Sequence, residues 1–279
     1  MRILLIGSGY VGMALLVSWT EEEDYFVATT TTEAKLQEIQ EQPNVDKAYL
    51  IKITETTNLK FAFDECDAAI VTIAPTNDSN YKETYLDGAI AISKALKGRT
   101  NPLFLLYTSS TSVYGNHSGV VVDEISVRKP LSKNGEILSE VEDIFFSCHS
   151  SNIEVCILRL GGIYGPMRTL DKRARKMSNK NLSGLGTEVT NHIHLEDITH
   201  AIQFCVNNRL KGIYNLVGDD HPSRQMLYEQ ISLELKIPPP VWGGNLDSIG
   251  RNNAIVSNEK IKACGYIFKY PHLPFSFTK

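Results

Sequence analysis

The sequence lacks the paired cysteines that a disulfide framework or a zinc site would need. Its five cysteines are scattered through 279 residues, and no two of them have a C-x-x-C spacing. An odd number of cysteines in this arrangement argues against structural disulfides and against a zinc site. We therefore expect no metal site, and we expect a reducing compartment, the cytoplasm, as the location.

Long apolar runs and an excess of positive charge are also missing. No apolar stretch reaches the roughly 20 residues that cross a bilayer, and the N-terminus has no signal-peptide layout. The 28 basic and 32 acidic residues give a formal net charge of -4, whereas proteins that bind nucleic-acid polymers present a strongly basic face. We expect neither a membrane nor a nucleic-acid polymer as a partner. A serine hydrolase is disfavoured because there is no G-x-S-x-G motif.

What the sequence does contain is an alternation of short apolar runs with helical patterns. The runs Arg2–Ile6, Asp67–Ile73 and Leu103–Tyr107 predict buried strands, and Glu33–Gln40 and Tyr85–Leu96 predict helices. Such alternation is typical of right-handed βαβ units. The predicted fold is therefore α/β, with a doubly wound parallel sheet.

The composition and the pattern of the sequence change after residue 165. Residues 168–180 are strongly basic and polar, and prolines and glycines interrupt the later pattern. We predict a dinucleotide-binding domain of the Rossmann type formed by residues 1–165 plus 189–220. A smaller, substrate-binding C-terminal lobe would be formed by residues 166–188 plus 221–279.

Residues 7–12 read G-S-G-Y-V-G, which is the pattern G-x-G-x-x-G. The pattern follows a predicted strand and opens a predicted helix, the context in which it indicates a dinucleotide site. Gly7 would allow a tight turn, Gly9 would let the backbone approach a pyrophosphate, and Gly12 would let helix and strand pack closely. We predict contacts to the cofactor from these three glycines and from Tyr10 and Val11.

The end of the second predicted strand carries four threonines, Thr29–Thr32, and no acid. An Asp or Glu there would bind the ribose hydroxyls of NAD, and its negative charge would repel a 2′-phosphate. Thr31, Thr32 and Lys35 can instead donate to such a phosphate, so we predict NADP as the cofactor, with NAD as the alternative. A second interpretation is that the threonines only cap the following helix.

Further segments resemble the extended short-chain dehydrogenase/reductases, which include nucleotide-sugar epimerases and dehydratases. They are D-A-A-I-V-T-I-A-P at 67–75, S-S-T-S-V-Y-G at 109–115, R-L-G-G-I-Y-G-P at 159–166, I-H-L-E-D-I at 193–198 and Y-N-L-V-G at 214–218. The segments run in the order of that family and cover the chain to about residue 220. The chain is most similar to the bacterial branch described as NAD(P)-dependent epimerase/dehydratase-like.

The resemblance implies roles for several residues. Ser110 would contact a substrate oxygen next to the nicotinamide, and Ala74 would lie beside that ring. Tyr164, Arg168 and His194 would lie at the substrate. Each role has a plainer alternative. Ser110 can cap the following turn, and His194 can be structural.

The only dense cluster of basic residues begins at Arg168. Its members are Arg168, Lys172, Arg173, Arg175 and Lys176. The cluster would suit a phosphate or carboxylate ligand. It would equally suit a solvated helix face.

Active members of the family carry a Tyr-x-x-x-Lys pair that this chain lacks. The tyrosine exchanges a proton with the substrate, and the lysine lowers the pKa of that tyrosine. Asn134 and Leu138 stand at these positions, and no tyrosine occurs between Tyr114 and Tyr164. An asparagine cannot act as an acid, although its amide can still bind a ligand. Tyr114 either replaces the lost acid or packs in the core, so the catalytic candidates are Ser110, Tyr114 and Asn134.

Two functions are consistent with this sequence. The first is an NAD(P)-dependent oxidoreductase or epimerase with an altered catalytic set, acting on a small sugar-like or phosphorylated substrate. The second is a non-catalytic NAD(P)-binding sensor or scaffold protein. Whether the chain is an enzyme, and whether it forms a homodimer, stay open at this point.

Overall fold

The computed structural model describes residues 1–64, 66–75, 80–243 and 251–275. The strands are β1 (Arg2–Ile6), β2 (Tyr25–Thr30), β3 (Val45–Leu50), β4 (Ala68–Val71), β5 (Leu103–Ser110), β6 (Asn116–Val122), β7 (Ile153–Leu160), β8 (Gly162–Tyr164), β9 (Asn181–Ser183), β10 (His192–His194), β11 (Gly212–Leu216), β12 (Val241–Gly243) and β13 (Asn253–Val256). The helices are α1 (Tyr10–Ser18), α2 (Glu33–Gln40), α3 (Thr56–Phe63), α4 (Gly88–Leu96), α5 (Lys133–Ser147), α6 (Leu170–Met177), α7 (Leu195–Asn207), α8 (Arg224–Leu235) and α9 (Glu259–Ala263). A π-helical turn, Glu83–Asp87, precedes α4.

Seven strands form the central sheet, in the order β11-β7-β5-β4-β1-β2-β3. β1 lies between β2 and β4 and runs parallel to both, with Ile3 opposite Phe26 on one side and Ala68 on the other. The chain therefore builds one half of the sheet outward from β1 and then crosses over to build the other half, as in doubly wound folds. The predicted α/β fold with a doubly wound parallel sheet is confirmed.

The central strands are apolar along their whole length because both faces of the sheet are covered. Leu4 and Leu5 in β1 have no exposed surface, and neither has any residue from Leu103 to Tyr107 in β5. Strands that are buried on both faces read as continuous apolar runs, so these elements were predictable from sequence.

Two elements of this sheet region were not predicted. β3 is an edge strand whose residues Asp46 and Lys47 are exposed, so it carries no continuous apolar run. α3 begins with two threonines and an asparagine, residues with low helix propensity, so its start carries no helical signal. β4 is shorter than the predicted run Asp67–Ile73, because residues 72–75 are not part of the strand.

The chain divides into two compact units. Unit 1 comprises Met1–Ser109, Glu136–Leu158 and Thr199–Ile213, and unit 2 comprises Ser110–Gly135, Arg159–Ile198 and Tyr214–Lys279. The domain limits that we predicted at residues 165, 188 and 220 stay a prediction.

Unit 2 contains three small two-stranded sheets that pair β8 with β10, β9 with β12, and β6 with β13. Its α6 and α8 contribute to a hydrophobic cluster that includes Leu170, Ala174, Leu227 and Ile231.

Within the described ranges, no helix has the length and apolar character needed to cross a membrane.

Candidate functional site

A cavity of about 220 Å³ lies in unit 1, where β1, β2 and β4 end. Its walls come from the glycine-rich turn, the threonine segment, the end of β3 and the segment after β4. The lining residues are Ile6, Gly7, Ser8, Gly9, Thr29, Thr30, Thr31, Thr32, Lys35, Ile51, Ile53, Thr72, Ile73, Ala74, Asn80 and Thr84. Ligands of open α/β sheets bind at the carboxyl ends of the strands, so this is the expected place for a cofactor.

The glycine-rich turn is held together by contacts that exclude side chains. Gly7 has a φ of +97°, a left-handed conformation that favours glycine. A Cβ added to Gly12 would lie 2.2 Å from the Gly7 carbonyl oxygen, so α1 can pack this closely only with glycine at that position. The Thr72 hydroxyl donates a hydrogen bond of 2.6 Å to the same carbonyl and ties the end of β4 to the turn.

Gly9 differs from the other two glycines because it faces open space. A Cβ added to Gly9 would meet no protein atom within 4 Å, although the residue lines the cavity. Gly9 stands at the N-terminus of α1, where backbone N–H groups and the helix dipole favour an anion. Protein packing therefore does not explain this glycine, and the space beside it is open to a ligand.

The segment Thr29–Thr32, which forms one wall of the cavity, lies next to the glycine-rich turn. The Ser8 hydroxyl donates to the Thr29 carbonyl oxygen over 3.0 Å, and the Lys35 ammonium donates to the Ser8 carbonyl oxygen over 3.2 Å. Thr32 occupies the N-cap position of α2, but its side chain makes no capping hydrogen bond. Among the described residues that line this cavity, none carries a carboxylate.

Of the nine residues predicted to bind the cofactor, six line the cavity. These are Gly7, Gly9, Thr31, Thr32, Lys35 and Ala74, whereas Tyr10, Val11 and Gly12 do not line it. No sequence pattern indicated the other lining residues Ile51, Ile53, Asn80 and Thr84. Thr72 lies in the segment 67–75 that resembles the family, but no role was predicted for it.

Ser110 ends β5 in unit 2 and caps the turn that follows. Its hydroxyl oxygen accepts a hydrogen bond of 3.2 Å from the Ser112 backbone N–H, at the start of a 3₁₀ turn, Thr111–Val113. The capping interpretation therefore describes the observed contact. The hydroxyl proton is still available to a ligand, because the oxygen acts as the acceptor in this bond.

Tyr114 is buried, with 1% of its surface exposed, and its hydroxyl is fully used. The hydroxyl donates to Asn215 Oδ1 over 2.7 Å and accepts from the Arg159 guanidinium over 2.8 Å. That guanidinium also lies over the Tyr114 ring, 4.9 Å from its centre, and burial raises the pKa of the phenol. These contacts are those that the packing alternative predicts.

Asn134 and Leu138 both lie in α5, in very different surroundings. Asn134 is exposed in the first turn of the helix, whereas Leu138 is 5% exposed and packs as a core residue. One turn further on, the buried carboxylate of Glu142 accepts a 2.6 Å hydrogen bond from the Ser109 hydroxyl. A leucine in a core position is structural, and an exposed amide is not an acid.

A second cavity, of about 340 Å³, lies within unit 2 and collects two of the three predicted substrate residues. Tyr164 and His194 line it, at facing positions of β8 and β10. Tyr270 and Phe275, which the sequence did not indicate, complete the aromatic walls.

The third predicted substrate residue, Arg168, is exposed and does not line that cavity. Lys172, Arg173, Arg175 and Lys176 are exposed as well, as a solvated helix face requires. His192 is buried, and burial lowers its pKa to about 4, so the ring is neutral at pH 7. Within the described ranges there is no group of three or more His, Cys, Asp or Glu residues that could hold a metal ion.

Comparisons with known proteins identify a family and a shared fold. A family model described as "NAD dependent epimerase/dehydratase family" matches residues 3–217. Protein YeeZ of Escherichia coli K12 is 28% identical over 276 residues, which cover 97% of this chain and 96% of that protein.

Solved structures of nucleotide-sugar enzymes share the fold. The dTDP-glucose 4,6-dehydratase of Bacillus anthracis, solved in complex with NAD, superposes with a TM-score of 0.78 at 20% identity, over 97% of this chain and 92% of that one. The UDP-glucose 4-epimerase of Thermotoga maritima, solved with UDP-glucose, has a TM-score of 0.78 at 17% identity, over 96% and 94% of the two chains.

Proposed function

The chain belongs to the NAD dependent epimerase/dehydratase family, and we propose that it binds NAD(P) in the unit 1 cavity and acts as an oxidoreductase or epimerase with an altered catalytic set. The resemblance that the motifs predicted is confirmed at the level of the family. The observation that carries the proposal is the open space at Gly9, in a cavity rimmed by the α1 N-terminus and by hydroxyl groups.

The lining residues suggest which part of the dinucleotide each would hold. The backbone of Gly7 and Gly9 would bind the pyrophosphate, and Thr31, Thr32 and Lys35 would bind the ribose with its 2′-phosphate. Ala74, a small residue beyond β4, would leave room for the nicotinamide. A bound dinucleotide supplies a hydride donor or acceptor.

The substrate would be small, and sugar-like or phosphorylated. This proposal follows from the family and from the relatives whose structures contain nucleotide sugars. Ser110 is the one predicted catalytic side chain that can still donate a proton to a substrate oxygen. Tyr114 is already saturated, and Asn134 offers only an amide.

A second candidate function is a dinucleotide-binding sensor or scaffold without catalysis. The position of Leu138 in the core favours it, because a lysine is absent from the place where the family keeps one. Both functions require the same cofactor site. They differ in whether the nicotinamide of a bound cofactor ever exchanges a hydride with a substrate.

Thermal unfolding with each of NAD, NADH, NADP and NADPH tests the binding claim. A ligand at 100 times its dissociation constant stabilises a native protein by about 2.7 kcal/mol, which raises the melting temperature measurably. We expect a rise with at least one phosphorylated dinucleotide. If none of the four changes the melting temperature or gives calorimetric heat, both candidate functions are wrong.

A further inference from the structure

The unit 2 cavity is lined mainly by aromatic rings. The rings of His194 and Tyr270 lie against each other with centres 3.9 Å apart, and the centre of the Tyr164 ring lies 5.0 Å from that of His194 in an edge-to-face arrangement. Phe275 and Leu170 add apolar surface. A cavity with such walls has the size and character of a site for one small ring compound.

The Tyr164 hydroxyl is an unused donor at this cavity. The residue is only 7% exposed, and among the residues that the structure describes its hydroxyl has no hydrogen-bond partner. Burial raises the pKa of the phenol to about 12, so it keeps its proton at neutral pH. The hydroxyl is therefore free to donate a hydrogen bond to a ligand in the cavity.

His194 provides a second neutral donor. Burial lowers the pKa of its imidazole, so the neutral form dominates at pH 7. Nδ1 accepts a 3.3 Å hydrogen bond from the Glu196 backbone N–H, which places the single proton on Nε2. Within the described ranges, Nε2 has no partner of its own.

The charges around the cavity disfavour an anion at Tyr164. After burial, the negative charges of Asp197 and Asp220 are the next contributions that raise the pKa of its phenol. Asp171 lines the cavity, and the hydroxyl of Thr169 holds the pKa of its carboxyl below the usual value. Two other charged groups nearby are paired, His272 with Asp220 and Lys269 with Glu196.

We propose that the unit 2 cavity binds a neutral, planar ring compound through a carbonyl oxygen, which accepts hydrogen bonds from Tyr164 and His194 while the ring packs on Tyr270 and Phe275. The ligand needs an acceptor oxygen because Tyr164 and His194 are both donors. It should be planar because aromatic rings form the cavity walls. It should carry no negative charge because carboxylates lie near the cavity. The proposal goes beyond the proposed function, because the ligand that it names is planar and uncharged rather than sugar-like or phosphorylated, and it does not require this cavity to be the substrate site.

Benzamide and benzoate are matched probes, because they share ring and shape and differ in charge. Each is titrated into the full-length protein without any dinucleotide, with chemical shifts in NMR spectra as the readout. We expect benzamide to bind about tenfold more tightly than benzoate, because the nearby carboxylates repel the negative charge of benzoate. Because no cofactor is present, failure here is distinct from failure of the dinucleotide claim.

Two variants connect the binding to these residues. Tyr164→Phe keeps the ring and removes the donor, so benzamide affinity should fall about fivefold. Tyr228→Phe is the control, because Tyr228 is similarly buried in the same hydrophobic cluster but does not line the cavity.

Asp220→Asn removes a negative charge and should raise benzoate affinity about threefold. This variant also tests the proposal if Tyr164→Phe fails to fold. Benzoate binding as tightly as benzamide, no binding of either probe, or benzamide affinity unaffected by Tyr164→Phe would each overturn the proposal.

Discussion

The cofactor cavity of unit 1 and the Ser110–Asn134 segment of unit 2 make an instructive contrast within one chain. The cavity has its full set of glycines: close packing within the turn requires Gly7 and Gly12, whereas Gly9 faces open space. The segment has the serine and the buried tyrosine of the family motif, but its helix carries asparagine and leucine where active members carry tyrosine and lysine. We therefore propose that the chain keeps the glycines that cofactor binding needs, whereas positions 134 and 138 carry neither the tyrosine nor the lysine that the family uses for proton transfer.

The largest expected effect concerns turnover of nucleotide sugars. Loss of a positioned acid–base group typically costs 10²–10⁴-fold in rate, so UDP-glucose should be turned over that much more slowly than by ordinary enzymes. The double variant Asn134→Tyr, Leu138→Lys should raise the rate if the rest of the site is intact. The matched control is Asn134→Phe, Leu138→Lys, which lacks the hydroxyl.

Steady-state assays of the three proteins decide this point. Turnover by the unmodified chain at about 1–10³ per second would contradict the contrast, because the lost pair would then be dispensable.

The next largest expected effect is a loss of folding stability on substitution of Tyr114. Tyr114→Phe removes one hydrogen-bond partner from buried Arg159 and one from Asn215, which should lower the free energy of unfolding by about 1–3 kcal/mol. Dinucleotide affinity should not change. Denaturant unfolding measures the loss, with Tyr25→Phe as a control, because Tyr25 is exposed. If Tyr114→Phe left the free energy of unfolding unchanged, the hydrogen bonds of Tyr114 with Arg159 and Asn215 would not stabilise the fold.

The smallest expected effect is the choice between the two cofactors. Without a carboxylate at the end of β2, and with Lys35 at the cavity wall, NADPH should bind about tenfold more tightly than NADH, or by about 1–2 kcal/mol. Lys35→Ala should weaken NADPH binding and leave NADH unchanged.

Dissociation constants measured in one buffer test this preference. Lys94→Ala serves as a control, because Lys94 is exposed on α4 and does not line the cavity. Equal affinities, or tighter binding of NADH, would show that Thr31, Thr32 and Lys35 do not select the phosphorylated cofactor.

Much of the fold could be predicted from the sequence because its signals are local. Continuous apolar runs located β1 and β5, and α2 begins and ends at the predicted residues, Glu33 and Gln40. β3 and α3 escaped detection because an exposed edge strand and a threonine-led helix carry weak local patterns.

In the two cavities as well, residues within a short motif were predictable and residues from distant parts of the chain were not. The glycines were found because one short motif carries them. Thr72, 65 residues away from Gly7, meets it only through the pairing of β1 with β4. Tyr270 and Phe275 reach the unit 2 cavity from the far end of the chain, and no motif near Tyr164 or His194 signals them.

The most direct test of the central claim is a calorimetric titration of NADPH into the unmodified protein and into Gly9→Val. An added side chain at Gly9 meets open space, so the variant should keep its melting temperature, whereas Gly12→Ala, with its clash against Gly7, should lower it. We expect the unmodified protein to bind NADPH and Gly9→Val to lose at least about 100-fold in affinity, or about 2.7 kcal/mol. Equal NADPH affinity for the two proteins, or no binding by either, would contradict the assignment of this cavity to a dinucleotide.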